Sequence, residues 1–317
     1  MIREKQEAPN QIELEFVYGC NMGCSFCGLM GVMGGFTNPR FIAPATLHEI
    51  VSKIAQAGWK SKIIISGHGE PMLHPSVIAL VQMIKSTLPK NHLSMITNGT
   101  NLTQETVIAL FKAGLDNLAV DEYTKSDNAD KVRQFIFNIP GLAVSDYRQK
   151  TECNVRDRLM GKSRSVSILE PIDLATDKTR KLVNRCGSAF PKNMSKANSR
   201  CTKPFREMVF DYDGNLLLCC NDFRRECLTG NIFDYDSIDH LWNNRVIEMY
   251  RKMLYNGSRG MFPCHGCDAP SYRVGLLPDK FGKQEMPQWT ENDQAIFDCM
   301  VKRTDDTRER EYEKEET

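Results

Sequence analysis

Tyr18-Gly-Cys-Asn-Met-Gly-Cys-Ser-Phe-Cys27 sets three cysteines, Cys20, Cys24 and Cys27, at C-x3-C-x2-C spacing directly behind a strand-like segment. Thiolates suit iron–sulfur clusters, and a cluster that only carries electrons is usually held by four of them. Three thiols at this spacing hold three irons of a cubane and leave the fourth open to another molecule. A zinc knuckle is the competing reading, yet zinc prefers four ligands in paired C-x2-C hooks.

Outward from this run, strand and helix signals alternate. Ile12–Val17 alternates apolar and charged residues, as a half-buried strand does. Pro44–Ala57 carries Leu47, Ile50, Val51 and Ile54 at helical spacing, with Gly58 as a stop. Lys62–Ser66 is a short apolar run ending in glycines, Pro75–Ser86 reads as a helix, and Leu93–Thr97 is the next strand. Thr103 caps a helix that stops at Gly114, and Leu115–Val120 is a further strand. Such βαβα order predicts a parallel sheet with covering helices, its site at the carboxyl ends of the strands. Between 126 and 185 the pattern blurs, with helical signal over Asn128–Ile139 and strand signal over Arg164–Leu169. Beyond Arg185 the strands look antiparallel and the loops lengthen. We expect a barrel domain over 1–185, a small module over 186–290 and a solvated, charged tail over 291–317.

The 317 residues suffice for one α/β-barrel-sized domain and a small module. With 41 basic and 40 acidic residues the chain shows no electrostatic footprint for nucleic acid. No apolar run approaches a membrane span, and the N-terminus does not read as a signal peptide. A reducing cytoplasm is expected, where the twelve cysteines read as metal ligands rather than disulfides.

Gly67-His-Gly-Glu-Pro71 follows the Lys62–Ser66 strand. Its glycines permit close backbone approach to a ligand, and Glu70 can accept from an ammonium group. Three cysteines followed by this turn resemble the radical S-adenosylmethionine (SAM) superfamily. That resemblance implies a [4Fe–4S] cluster whose open iron binds SAM. It assigns the SAM amino group to Gly69 and Glu70, with Gly67 and Pro71 as further cofactor-binding residues of the turn, although His68-Gly69 replaces the commoner Gly-Gly or Asp-Gly. Thr97-Asn98-Gly99 matches a strand-end turn that faces the cofactor ribose in the superfamily; a plain turn explains it equally well.

A second constellation comprises Cys201, Cys219, Cys264 and Cys267. Its first two members flank a hairpin that turns at Asp213-Gly214, the last two form a C-x2-C, and a helix is expected over Ser237–Leu254. Four thiols make a closed site for zinc or for a second cluster. The spacing, the Gly-Asn-Ile and the Trp242 helix resemble the twitch form of the SPASM module, which implies an auxiliary [4Fe–4S] cluster. Cys220 competes with Cys219 as the ligand. The register favours Cys219, since adjacent strand residues face opposite sides. Cys153, Cys186, Cys227 and Cys299 have no partner spacing and read as buried small residues, although Cys186, Cys220 and Cys227 leave a second auxiliary cluster open.

The resemblance implies a partial (β/α)6 TIM-like barrel followed by a C-terminal twitch module. It further implies a radical SAM oxidoreductase that takes a hydrogen atom from a C–H bond of a small polar alcohol, sugar- or cyclitol-like. The auxiliary cluster would accept an electron, and a flavodoxin- or ferredoxin-like protein would donate the first one. Peptide modification, isomerisation and dehydration are alternative uses of the same radical, and a non-enzymatic iron–sulfur or zinc protein is an alternative of another class. Arg185, Asp121 and Tyr123 are the candidate catalytic residues. Arg185 could contact substrate or deprotonate an intermediate, against the plainer reading of a structural salt bridge. Asp121 and Tyr123 end a barrel strand where substrate hydroxyls or the cofactor would sit. Met22, Phe26, Met30 and Met33 are expected to shield the first cluster from water.

Overall fold

The structure is a computed structural model that describes residues 7–33, 38–121, 127–146, 151–153, 165–169, 184–189 and 200–269. In chain order its elements are β1 (Gln11–Glu15), β2 (Val17–Tyr18), α1 (Gly28–Met33), β3 (Arg40–Phe41), α2 (Pro44–Gln56), β4 (Lys62–Ser66), α3 (Val77–Thr87), β5 (Leu93–Thr97), α4 (Gln104–Lys112), β6 (Asn117–Asp121) and α5 (Asp127–Ile136). They continue as β7 (Ala143–Asp146), β8 (Thr151–Cys153), β9 (Ser165–Leu169), α6 (Lys203–Arg206), β10 (Glu207–Phe210), β11 (Asn215–Leu217), β12 (Leu228–Asn231), α7 (Ile238–Trp242) and α8 (Arg245–Tyr255). The charged tail over 291–317, and the module residues beyond 269, lie outside the described residues.

One ten-stranded sheet runs β12-β11-β10-β1-β4-β5-β6-β9-β7-β8. The strands from β10 to β7 pair parallel, and β8 and β11–β12 close the two ends antiparallel. The six parallel strands β1, β4, β5, β6, β9 and β7 form the partial barrel. Their order departs from a simple series, because β7 and β8 form an outer antiparallel pair and β9 returns between β6 and β7. The first strand of the module, β10, pairs with β1, so the sheet continues from barrel to module without a break.

β1 differs from the sequence expectation. Ile12 and Leu14 join the core beneath the helices, but Glu13 and Glu15 on its other face are also buried. The strand is therefore covered on both sides, and its carboxylates belong to the barrel interior. α2 and α4 form where expected. Pro44 supplies a preset φ in the first turn of α2, and Thr103 with Thr106 makes a reciprocal N-terminal cap on α4. Leu47, Ile50, Val51 and Ile54 of α2 are fully buried against the sheet, each worth about 1.5–3 kcal/mol of apolar burial.

The single helix expected over Ser237–Leu254 is two helices. Asn244 ends α7 and begins α8: its side chain accepts from the N–H groups of Val246 (2.9 Å) and Ile247 (3.1 Å) and donates to the carbonyls of Leu241 and Thr229. An asparagine satisfying four backbone groups outcompetes helix continuation.

Candidate active site and auxiliary thiol site

The loop after β2 and the turn after β4 meet by backbone contact. Glu70 N–H donates to the Gly19 carbonyl at 2.9 Å, and Gly19 N–H donates to the His68 carbonyl at 3.3 Å. Only glycine fits at 69, where a Cβ would lie 2.1 Å from the Val17 carbonyl oxygen and 2.5 Å from that of Gly19. The thiol loop is thereby pressed onto the glutamate turn, and both face a cavity of about 300 Å³.

Cys20, Cys24 and Cys27 line this cavity together with Gly67, Gly69, Glu70, Thr97, Asn98, Asp121 and Arg185. Pro71 is buried just behind it at the start of a short 3-10 turn. Tyr123 lies outside the described residues. Met22 and Phe26 are on the wall beside the thiols, as expected. Sequence reasoning missed Gln11, Glu13, Ser66, His68 and Phe223, which also line the cavity. The alternation along β1 puts Gln11, Glu13 and Glu15 on one face but does not say whether that face meets water or the barrel interior.

Glu70 is the most constrained group in the cavity. One carboxylate oxygen accepts from Thr97 Oγ1 (2.6 Å) and Met72 N–H (3.0 Å), and the other from Asn98 N–H (2.7 Å). Burial nevertheless raises its pKa to about 7, so the ionised form still lacks a counter-charge. A ligand ammonium group would supply one. Asn98 joins the glutamate to the thiols, its amide donating to Asn21 Oδ1 (2.8 Å) and lying 3.6 Å from Cys20 Sγ. Burial pushes the Cys20 thiol up and the Cys24 thiol to about 12, so metal ligation must displace their protons.

A second pocket lies in the module. Cys201, Cys219, Cys264 and Cys267 line it, with Leu218, Leu254, Pro204 and Ala269 as apolar walls. Thiolate-accepting backbone geometry recurs: Asn221 N–H points at Cys219 Sγ and Ala269 N–H at Cys267 Sγ, each at 3.4 Å. Arg259, also on the wall, fixes the Cys267 loop through the Ala269 carbonyl (3.0 Å). An all-sulfur donor set in an apolar, cation-flanked pocket fits an iron–sulfur cluster. Cys220 lines the first cavity and not this pocket; β11 ends at Leu217, so the turn after the strand, and not strand register, separates it from Cys219. Cys186, expected to be a bystander, is a fifth thiol on this wall. It hydrogen-bonds Cys219 and Cys267, and its bond holds the Cys267 thiol below its ordinary pKa. Cys227 is buried away from the pocket, Cys153 lies in β8, and Cys299 is outside the described residues.

The two sites share a wall. Arg185 faces the first cavity and donates to Asn221 Oδ1 (2.9 Å), while its neighbour Cys186 faces the second. Both residues adopt left-handed backbone, φ 49° and 55°, a costly conformation for non-glycine residues that concentrates at functional positions.

The sequence pattern of the Radical SAM superfamily matches residues 14–136, and that of the SPASM iron–sulfur cluster-binding domain matches residues 201–268. Residues 14–136 are a radical SAM domain, and residues 201–268 a SPASM domain. The chain is an enzyme of the radical SAM class, using a [4Fe–4S] cluster with SAM, and its SPASM domain holds an iron–sulfur centre of its own. Among characterised radical SAM proteins it is 25% identical to the SAM-dependent 2-deoxy-scyllo-inosamine dehydrogenase of Niallia circulans, over 84% of this chain and 95% of that one. It is 28% identical to the GTP 3',8-cyclase of Lactiplantibacillus plantarum, over 42% of this chain and 41% of the cyclase. The crystal structure of BtrN in complex with AdoMet and 2-DOIA shares the fold, with a TM-score of 0.65 at 23% identity over 83% of this chain and 94% of that one. No helix among the described residues is long and apolar enough to cross a membrane.

Proposed function

We propose that this enzyme is a dehydrogenase that removes two electrons and two protons from a secondary alcohol of a small polyhydroxylated, cyclitol- or sugar-like substrate. The auxiliary centre is the electron acceptor and a flavodoxin- or ferredoxin-like protein the initial donor, in the cytoplasm. The observation that carries the reading is the shared wall: the turn carrying Cys219, Cys220 and Asn221 and the pair Arg185–Cys186 each face both sites. Similarity to the cyclitol dehydrogenase along nearly its whole length supports it.

Bound SAM and its cluster supply the 5′-deoxyadenosyl radical that takes hydrogen from the substrate carbon. This chain's residues orient and shield. Cys20, Cys24 and Cys27 hold the first cluster. Glu70, buried and short of a counter-charge, takes the SAM ammonium group, and the glycine turn with Thr97 and Asn98 shapes the remaining contacts. Met22 and Phe26 limit water access. Asp121 and Arg185 line the same cavity and are the residues we assign to the substrate. Arg185 is a permanent cation placed to favour a developing alkoxide, with Asn221 fixing its direction. Cys201, Cys219, Cys264 and Cys267 hold the auxiliary cluster.

The test is anaerobic turnover with dithionite against a panel of aminocyclitols, cyclitols and sugars, scoring 5′-deoxyadenosine and a trapped ketone in equal amounts. A Cys264→Ala variant should keep uncoupled SAM cleavage and lose ketone formation. Full turnover in that variant would remove the auxiliary cluster from the reaction, and 5′-deoxyadenosine without ketone on every alcohol would refute oxidation.

A further inference from the structure

His68 stands where the superfamily turn commonly has glycine or aspartate, and the structure gives it more partners than a turn needs. Its carbonyl accepts from the Gly19 N–H (3.3 Å), one residue before Cys20. Its ring Nε2 lies 3.1 Å from the carbonyl of Cys220, one residue after Cys219. His68 is thus hydrogen-bonded to the backbone beside a first-cluster thiol and beside an auxiliary thiol at once.

The histidine is held from behind. Glu15 Oε2 accepts from the His68 N–H at 3.0 Å and lies 3.0 Å from ring Nδ1. Its other oxygen meets Arg225 at 2.5 Å, and Arg225 continues to Asp211 at 2.7 Å. The Arg225 guanidinium stacks over Tyr18 at 4.0 Å and Tyr212 at 5.1 Å. Phe223 packs on the imidazole, ring centres 4.2 Å apart. Glu15, His68 and Asp211 are each about 1% exposed. This ladder, Asp211–Arg225–Glu15–His68–Cys220, ties β1 and the SAM turn to residues 219–225 of the module. Bonded links of this kind stiffen what they join in a low-dielectric interior, while His68 Nδ1, in ion-pair contact with Glu15 alone, and Arg225 Nε make no hydrogen bond.

We infer that His68 is a positioning residue that fixes the auxiliary-thiol turn at 219–225 against the first-cluster loop, so that a substrate radical formed at one site reaches the electron acceptor at the other. The inference rests on the dehydrogenase reading for its kinetic consequence, but its structural half stands alone. Glycine or alanine at 68 leaves the Cys220 carbonyl without this donor. Glutamine, whose amide nitrogen reaches about as far as Nε2, replaces it.

Two measurements test this. The first is hydrogen–deuterium exchange on the unloaded chain. In His68→Ala, amides of both 19–22 and 219–225 should exchange about tenfold faster, while α4, remote from the ladder, keeps its rate. The second is ketone formed per 5′-deoxyadenosine in the reconstituted enzyme. It should fall roughly tenfold in His68→Ala, since small misplacements carry such costs, and recover in His68→Gln. Arg225→Gln, which opens the ladder from the module side, should reproduce the His68→Ala exchange pattern if the alanine variant does not fold. Unchanged exchange at 219–225 in both variants overturns the inference, as does an unchanged ketone ratio in His68→Ala. Should the wild-type chain make no ketone, the dehydrogenase reading fails, and the exchange data still decide the role of His68.

Discussion

Replacing Gly69 by alanine would put a Cβ 2.1 Å from the Val17 carbonyl oxygen and 2.5 Å from the Gly19 carbonyl oxygen. Both obstacles are main chain, so no rotamer change relieves them. Overpacking of this kind costs about 1–3 kcal/mol or more. Relief requires separating the SAM turn from the thiol loop, which loses the Glu70 N–H bond to Gly19 and the Gly19 N–H bond to His68, at about 1 kcal/mol each. The expected destabilisation is therefore roughly 3–5 kcal/mol, a large share of a typical domain's stability. Gly58 is the matched control. Its φ is +66° with nothing within 4 Å of a Cβ, so alanine there should cost only the left-handed penalty of about 1–2 kcal/mol. Anaerobic urea unfolding of both variants reads the difference, and iron analysis reads whether the first cluster survives. Equal destabilisation by the two substitutions, with full iron in Gly69→Ala, would refute the argument that the close contact at Gly69 builds the SAM site.

Burial holds the Glu70 pKa at about 7, above its ordinary 4.5. Between those values the folded chain keeps a proton that the unfolded chain has lost, so this group's contribution to stability falls as pH rises through the window. SAM binding runs the other way: its ammonium needs the carboxylate, so affinity should fall about tenfold per unit as pH drops below 7. Titration calorimetry from pH 5.5 to 7, below the range in which an α-amino group itself deprotonates, should show the slope in wild type and none in Glu70→Gln. Cys219 lines the auxiliary pocket and Cys220 the SAM cavity, so Cys219→Ala should lose auxiliary iron and Cys220→Ala should retain it, by iron and sulfide quantitation. Asn244→Ala removes the α8 cap and the donor to Thr229 and Leu241. A loss of about 2–3 kcal/mol in urea melts, with α8 amides exchanging first, is expected.

Most elements of the first 121 residues were legible because each carried a local signature. Lys62–Ser66 and Leu93–Thr97 are apolar runs closed by glycine-bearing turns, and Thr103 and Gly114 bracket α4. The thiol spacing pointed to the cluster for the same reason, since its ligands are close in sequence. What stayed hidden depends on contacts between distant residues. Glu13 and Glu15 read as a solvent face because alternation cannot distinguish water from a barrel interior. His68 gave no sign of its bond to Cys220, 152 positions away. Cys186 lacks any spacing partner and joins the auxiliary thiols only because Asn184 docks its turn on Gly266 and Asp268. Asn244 looked like a helix interior residue, and its backbone partners are what make it a boundary. The β6-β9-β7 order could not be read either, because the 126–185 stretch lacks a strong period and the pairing is non-local.

The account depends on two separate thiol sets, each loading its own cluster, with only the first able to engage SAM. Iron and sulfide counted per chain after anaerobic reconstitution, in wild type and in Cys20→Ala/Cys24→Ala/Cys27→Ala, measures this directly. About eight irons should fall to about four in the triple variant, with SAM cleavage abolished. A triple variant that keeps the wild-type iron content, or still releases 5′-deoxyadenosine, would contradict it.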